Sequence, residues 1–375
     1  MRIRRVFGNV IVVAVAVFSV LFASISPASA ENRELTVKVM TRNMYPGAEL
    51  AVIAAATNEM EFEEAVQSTI ESVIQSRIPE RAARLAAEIA ETKPDVVALQ
   101  EATIWKIESE SGSIVLDQLA LLLHSLRAAG QHYKVGVIQK LTDVQLPGVL
   151  TYTDHDAILV RSDLPAGQLN VLGTEAHIYE ALMSFPVLDS EIQVLRGWVA
   201  MDLKIRGARF KFVNTHLEAP LAGLPETAEL QFAQAAQLVE DLQGTNLPVI
   251  LAGDFNSDAE VTKYYPPDAT LSYEHIVDAG YVDAWHELFP SNPGYTWPLL
   301  AEGLPPGQEV IPIERIDLIF SKGPEAIWMA RTGMEPGMDG LYTSDHVGVV
   351  AVFQILNHCA GHHFRAGRSD LHLAR

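Results

Sequence analysis

Residues 247–257 read LPVILAGDFNS, with Asp258 next in line. Val249, Ile250, Leu251 and Ala252 form an unbroken apolar run between Pro248 and Gly253, the pattern of a strand covered on both faces. Such a strand delivers Asp254 and Asn256 to its C-terminal end. A calcium loop competes for the same residues. Asp254, Asn256 and Asp258 occupy its first, third and fifth positions, but Ala259 stands where the sharp turn needs glycine and Tyr265 where the ion needs a bidentate glutamate. An ordinary turn remains open, since Asp and Asn bond their own backbone in turns. The company of other strand ends decides between turn and site.

Working outward, alternation in LTVKVMTRN puts Val37, Val39, Thr41 and Asn43 on one strand face, with Lys38 and Arg42 on the other. The pattern turns helical from Glu59 to Glu91, with Pro79 starting a second helix. PDVVALQEA reads as a fully buried strand, VLDQLALLLHSL as a helix, and Tyr133–Gln139 and Ala157–Arg161 as strands. RGWVAMDLKI and RFKFVNTHL flank Arg206, Gly207 and Ala208 as a hairpin, which places Phe210, Phe212, Asn214 and His216 on one face. A helix over about Glu226–Leu242 precedes the opening strand, and RIDLIF and HVGVVAVF supply two later ones. The Pro/Gly-rich stretches 299–308 and 333–340 read as loops. Strand pairs mixed with helices predict an α+β fold of two packed, mainly antiparallel sheets with helices outside.

Several strands end in polar groups: Asn43, Gln100 with Glu101, and His216, while Asp345 and His346 stand just before a strand and Asp317 lies in RIDLIF. One rim would then collect two histidines, several carboxylates and two asparagines. That inventory suits phosphoester hydrolysis: a hard divalent cation takes carboxylate oxygens, an attacking water needs a base, and charge on phosphorus needs donors such as His216, His346 and Asn256.

PDVVALQE, NTHLE, GDFNS, RIDLIF and SDHVGV, in this order, resemble the signature of the endonuclease/exonuclease/phosphatase superfamily, which includes secreted deoxyribonucleases, abasic-site endonucleases, sphingomyelinases and inositol polyphosphate phosphatases. The start, with its RN-Y-GA-L pattern, is similar to secreted bacterial members. The resemblance covers Leu35 to Ile355 and implies a four-layer α/β/β/α sandwich with the site at one rim. By motif it implies Asn43, Glu101 and Asp345 at a magnesium site, with Mn2+ or Ca2+ as substitutes. His216 and Asn256 would contact the scissile phosphate, Asp254 would orient or deprotonate the water, and His346 paired with Asp317 would be the second phosphate-binding or acid–base group. Arg196 and Tyr152 are candidates for holding the substrate, although Arg196 packing on Trp198 explains that arginine equally well. Departures are the helical segment of about Ala48–Ile78 and Asp156, which with Asp154 either extends the acidic site or marks a surface turn and a capped strand start.

Arg2, Arg4 and Arg5, the apolar run Val10–Ala23 and Ala28-Ser29-Ala30 predict a signal peptide over 1–30 cleaved after Ala30, hence a secreted or periplasmic protein. Cleavage moves the formal charge from -20 to -23, a field that disfavours nonspecific binding to long duplex DNA. The single cysteine, Cys359, excludes an intramolecular disulfide. Residues 31–356 read as one catalytic domain and 357–375 as a tail whose His358, Cys359, His362 and His363 bind metal only adventitiously. Serine-hydrolase, phosphate-loop and HExxH motifs are absent. The expected substrate is a phosphate ester: a phospholipid head group, nucleic acid or sugar phosphate, with diesters preferred. The alternatives are a secreted endonuclease and an inactive binding protein on the same scaffold. No protein partner is called for, and a monomer is expected.

Overall fold

The computed structural model describes residues 35–355 except 110, 188–189, 222–223, 261–270, 300–310 and 339. The expected leader, the tail with Cys359 and most of the 299–308 loop lie outside the described residues. The chain runs β1 (Leu35–Asn43), α1 (Ala51–Ala54), α2 (Glu59–Gln75), α3 (Ile78–Thr92), β2 (Val96–Gln100), β3 (Ile104–Ser109), β4 (Gly112–Asp117), α4 (Gln118–Ala128), β5 (Tyr133–Leu146) and β6 (Leu150–Arg161). It continues through β7 (Leu169–Ile178), β8 (Met183–Val187), β9 (Ser190–Val194), β10 (Gly197–Ile205), β11 (Ala208–His216), α5 (Glu226–Leu242), β12 (Val249–Asp254), α6 (Leu271–Asp278), β13 (Val282–Asp283), α7 (Ala284–Leu288), β14 (Asp317–Lys322), β15 (Glu325–Thr332) and β16 (Gly348–Ile355).

Two sheets carry the fold. The first is ordered β15-β16-β1-β2-β6-β3-β4, with β5 also paired to β6; the second is ordered β13-β14-β12-β11-β10-β7. Each contains a single parallel pair, β1 with β2 and β11 with β12, and is otherwise antiparallel. Three apolar clusters account for the layering. Val37, Val39, Ile158, Phe210, Phe212 and Ile250 fill the space between the sheets. Leu85, Ile89, Leu122 and Leu126 seat α3 and α4 on the outer face of the first sheet. Ala235 and Leu238 of α5 and Ile276 of α6 cover the second. The result is the expected α/β/β/α sandwich.

Local chemistry explains where helices start. Asn58 caps α2 by accepting from the Glu61 amide at 3.0 Å, which breaks the expected long helical segment after the single turn of α1. Asp117 caps α4 by accepting from the Ala120 amide at 2.8 Å, so Val115–Asp117, read as helix from the sequence, end strand β4 instead. The hairpin β8–β9 forms a separate two-stranded sheet that the sequence pattern did not reveal. Among the described residues no helix is long and apolar enough to cross a membrane.

The sheets are also joined by a polar tie in the apolar interior. Asn214, fully buried on β11, donates to the carbonyls of Leu99 and Ala157 at 2.8 and 3.0 Å in the first sheet, and accepts from Gln100 Nε2 at 2.6 Å. Gln100 in turn donates to Thr41 Oγ1 at 3.1 Å. Each buried group left without a partner costs about 1–3 kcal/mol. Asn214→Leu strips the tie of its centre and should lower unfolding free energy by about 3 kcal/mol or more in urea titrations; an unchanged midpoint would contradict this role.

Candidate active site

Register brings the second sheet's polar ends to one rung. His216 pairs with Asp254 across the parallel β11–β12 ladder, and Asp254 pairs with Asp317 across β12–β14. Neighbours on one rung share a face, so the three side chains project together toward the first sheet. Gly197, preceded by Arg196, faces His216 from the other side. Gly253 is required one residue before the rung: a Cβ there would lie 2.1 Å from the Thr215 carbonyl oxygen, so no larger residue lets β12 approach β11 this closely.

The first sheet supplies the facing half. Asn43 ends β1 opposite Gln100, and Glu101 follows with φ +56°. Asn256, beyond β12, has φ +48°. Non-glycine residues with such angles are uncommon, and they collect where surrounding structure enforces them. His346 is held by its backbone: the guanidinium of Arg42 donates to its carbonyl oxygen and faces Glu88 of α3 at 3.4 Å. Alternation along β6 from Val160 and Ile158, which line the interior, carries Asp156 and Asp154 onto the same inner face, both buried.

Asp254 is the hub. It is 1% exposed, and its Oδ2 receives Asn43 Nδ2 at 3.0 Å while His216 Nε2 and His346 Nε2 lie at 3.6 and 3.7 Å. Its Oδ1 accepts the Asn256 amide at 3.0 Å. His346 Nδ1 sits 2.9 Å from Asp317 Oδ2, and Arg196 Nη1 lies 2.8 and 2.9 Å from the two ring nitrogens of His216, with its Nη2 3.5 Å from Glu218.

The two imidazoles are driven apart electrostatically. Burial alone would depress His346, but Asp317, Asp345 and Asp254 outweigh it and hold the ring well above its usual pKa. Burial, then the charges of Arg196 and His346, hold His216 well below. At neutral pH the pair is therefore one imidazolium and one neutral ring. Burial pushes Asp254 up to about 6, with His346 working against it. Burial, then Asp345 and Asp154, push Glu101 well above the carboxylate range.

The profile of the endonuclease/exonuclease/phosphatase family matches residues 74–346, most of the chain. The chain belongs to that family. Its fold is similar to that of the endonuclease/exonuclease/phosphatase from Beutenbergia cavernae, at 20% identity, covering 86% of this chain and 72% of that one with a TM-score of 0.54. A family protein from Bacteroides thetaiotaomicron matches at 17% identity over 86% of this chain and 99% of that one, TM-score 0.51. Another from Leptotrichia buccalis matches at 18% over 85% and 100%, TM-score 0.50. Comparison with curated proteins gives no significant match. Endonuclease/exonuclease/phosphatase enzymes are metal-dependent phosphoester hydrolases.

The residues fit such a cation. Ligand atoms of Asp254, Asp317 and His346 lie within 4.8 Å of one another. His346 held as an imidazolium has no lone pair to offer, however, so the better hard-ion donors are the carboxylates of Glu101 and Asp345, whose mutual repulsion a cation relieves. Asn43 has a second duty that its motif did not suggest. Its amide nitrogen orients Asp254, and its oxygen, already accepting from the Tyr45 amide at 2.9 Å, keeps one lone pair.

Asn256 is also partly engaged, since its Nδ2 donates to the Leu217 carbonyl at 2.9 Å and keeps one hydrogen for a ligand. Tyr152 is buried with its ring 4.7 Å from Trp105. Arg196 contacts His216 and Glu218, and Trp198 stacks on His177 at 4.3 Å. Sequence reasoning missed Glu218 and Arg42, and placed Asp154 and Asp156 as readily in a surface turn. Both oxygens of Asp156 are buried without a partner. The signal for it was present in the spacing to Ile158 and Val160. Arg81, buried under the acids with its guanidinium 4.8 Å from the Tyr45 ring and donating to the Tyr45 carbonyl, was missed as well; burial lowers its pKa to about 10, Asp345 opposing.

Asp317→Asn removes the nearest counter-charge of His346, so the ring's titration midpoint should fall toward the usual value near 6.5. The charged ring's contribution to stability is complete below about pH 6.5 and is lost as pH rises through the raised folded value, so the variant should lose its extra stability in that window. Histidine NMR titration checks the shift, and an unmoved midpoint would refute the pairing.

Proposed function

We propose that this chain is a secreted, magnesium-dependent phosphoesterase that cleaves phosphodiesters, with monoesters as poorer substrates, by attack of water on phosphorus. The observation that carries the reading is the convergence of Asn43, His216 and His346 on one oxygen of buried Asp254. Magnesium, held by Glu101 and Asp345 with Asn43 beside them, would supply Lewis-acid polarisation of the phosphate.

The chain's own groups divide the remaining work. Asp254, with a pKa of about 6, is mostly ionised at neutral pH yet basic enough to accept the proton of an attacking water. His346 is already protonated, which makes it the donor to the phosphate oxygens or the leaving group rather than the base. Neutral His216, fixed by Arg196, offers a ring N–H to the developing charge. Asp317 keeps His346 oriented and charged. A scaffold used only for binding has no need of this division of protonation states.

Secretion is supported by the arginine-flanked apolar start and the Ala28-Ser29-Ala30 site. The strongly acidic chain favours a substrate other than long duplex DNA. Hydrolysis of bis(4-nitrophenyl) phosphate with magnesium, repeated with a chelator, tests the reading. Activity should vanish with chelator and fall about 10²- to 10⁴-fold in His216→Ala and His346→Ala. Background rates throughout would favour an inactive binding protein, and robust plasmid nicking would favour the endonuclease.

A further inference from the structure

Beside the catalytic rim lies a groove of about 200 Å³ whose walls come from elements that take no part in the rung. Ala51 and Ile53 of α1 form one wall; Phe185 of β8 and Ile192 and Val194 of β9 form another. Val144 of β5 lines the groove as well. The lining also includes Glu101, Tyr152 and Arg196, so the groove adjoins the candidate active site. Both walls belong to additions to the sandwich: the segment after Asn43, and the hairpin forming its own two-stranded sheet.

Resting on the phosphoesterase reading, we propose that this groove is the specificity pocket for the group esterified to the scissile phosphate, and that it takes an apolar chain or ring. Two observations select that occupant. Most of the lining is apolar, so a ligand gains by leaving water there, about three- to four-fold in affinity per buried methylene. The polar part of the lining carries the carboxyl groups of Glu49, Glu101, Asp154 and Glu218 and the guanidinium of Arg196, which Glu218 already faces at 3.5 Å. A second phosphate placed there would meet more acid than base, which disfavours an oligonucleotide or a polyphosphorylated sugar in the same position. Continuity with Glu101 and Arg196 ties the groove to a ligand whose phosphate sits on the rim, rather than to a separate partner.

The groove can be tested separately from the chemistry by titration calorimetry of the full mature chain with magnesium and monoalkyl phosphates from methyl to hexyl. Affinity should rise about three- to four-fold with each methylene until the groove is full, and the dinucleotide pTpT should bind more weakly than hexyl phosphate. Ala51→Trp, at an exposed position of α1, fills the groove and should abolish the chain-length dependence while leaving methyl phosphate affinity unchanged; Phe185→Asp should do the same. Affinity independent of chain length, or tighter binding of pTpT, overturns the proposal. Turnover of bis(4-nitrophenyl) phosphate is read separately: a silent enzyme that still shows the chain-length slope refutes the phosphoesterase reading and leaves the groove intact.

Discussion

A carboxylate with 1% of its surface exposed joins the two halves of the site: Asp254, at the end of β12, receives an amide hydrogen from Asn43 of the opposite sheet. An ionised carboxylate is costly in an apolar interior unless donors surround it. Here Asn43 and the Asn256 amide donate to it and charged His346 lies 3.7 Å away as a counter-charge, so the stability of the rim and its chemistry draw on the same contacts. The Asn214–Gln100–Thr41 tie beneath it fixes the spacing of the sheets, and Gly253 lets β12 approach β11 closely enough to set the rung. Moving either sheet by a residue would reverse which side chains face the cleft.

Much of this was legible in the sequence because strand alternation is a strict period. FKFVNTH and LTVKVMTRN each fix a face, VILAGD marks a strand covered on both faces, and all three end on a polar residue at the rim. Alternation was misleading where both faces of a strand are covered. Arg42 was read on a polar face, yet helix α3 lies over it and the guanidinium is fully buried against the His346 carbonyl. Asp154 and Asp156 likewise looked like turn residues beside Thr153 and His155, and only the interior positions of Ile158 and Val160 reveal their direction. The Arg196–Glu218 contact joins residues on either side of the β10–β11 hairpin, which no local pattern encodes, and the local β8–β9 hairpin is masked by Pro186 inside β8.

The charge of the whole chain and the charge of the site are separate matters. A net -20 is spread over the surface, whereas the cleft sets acids against His346, Arg196 and Arg81 within a small buried volume. That arrangement leaves Glu101 and Asp345 short of positive charge, the condition a divalent cation satisfies, while keeping one imidazole charged for a phosphate. Additions outside the sandwich, α1 and the β8–β9 hairpin, then surround the cleft with apolar surface.

A crystal structure of the protein grown with magnesium and inorganic phosphate is the most direct test. The account predicts a cation bound by Glu101 and Asp345, and a phosphate within hydrogen-bond distance of both His216 and His346 above Asp254. A cation and phosphate bound elsewhere, with the two imidazoles touching neither, would contradict it.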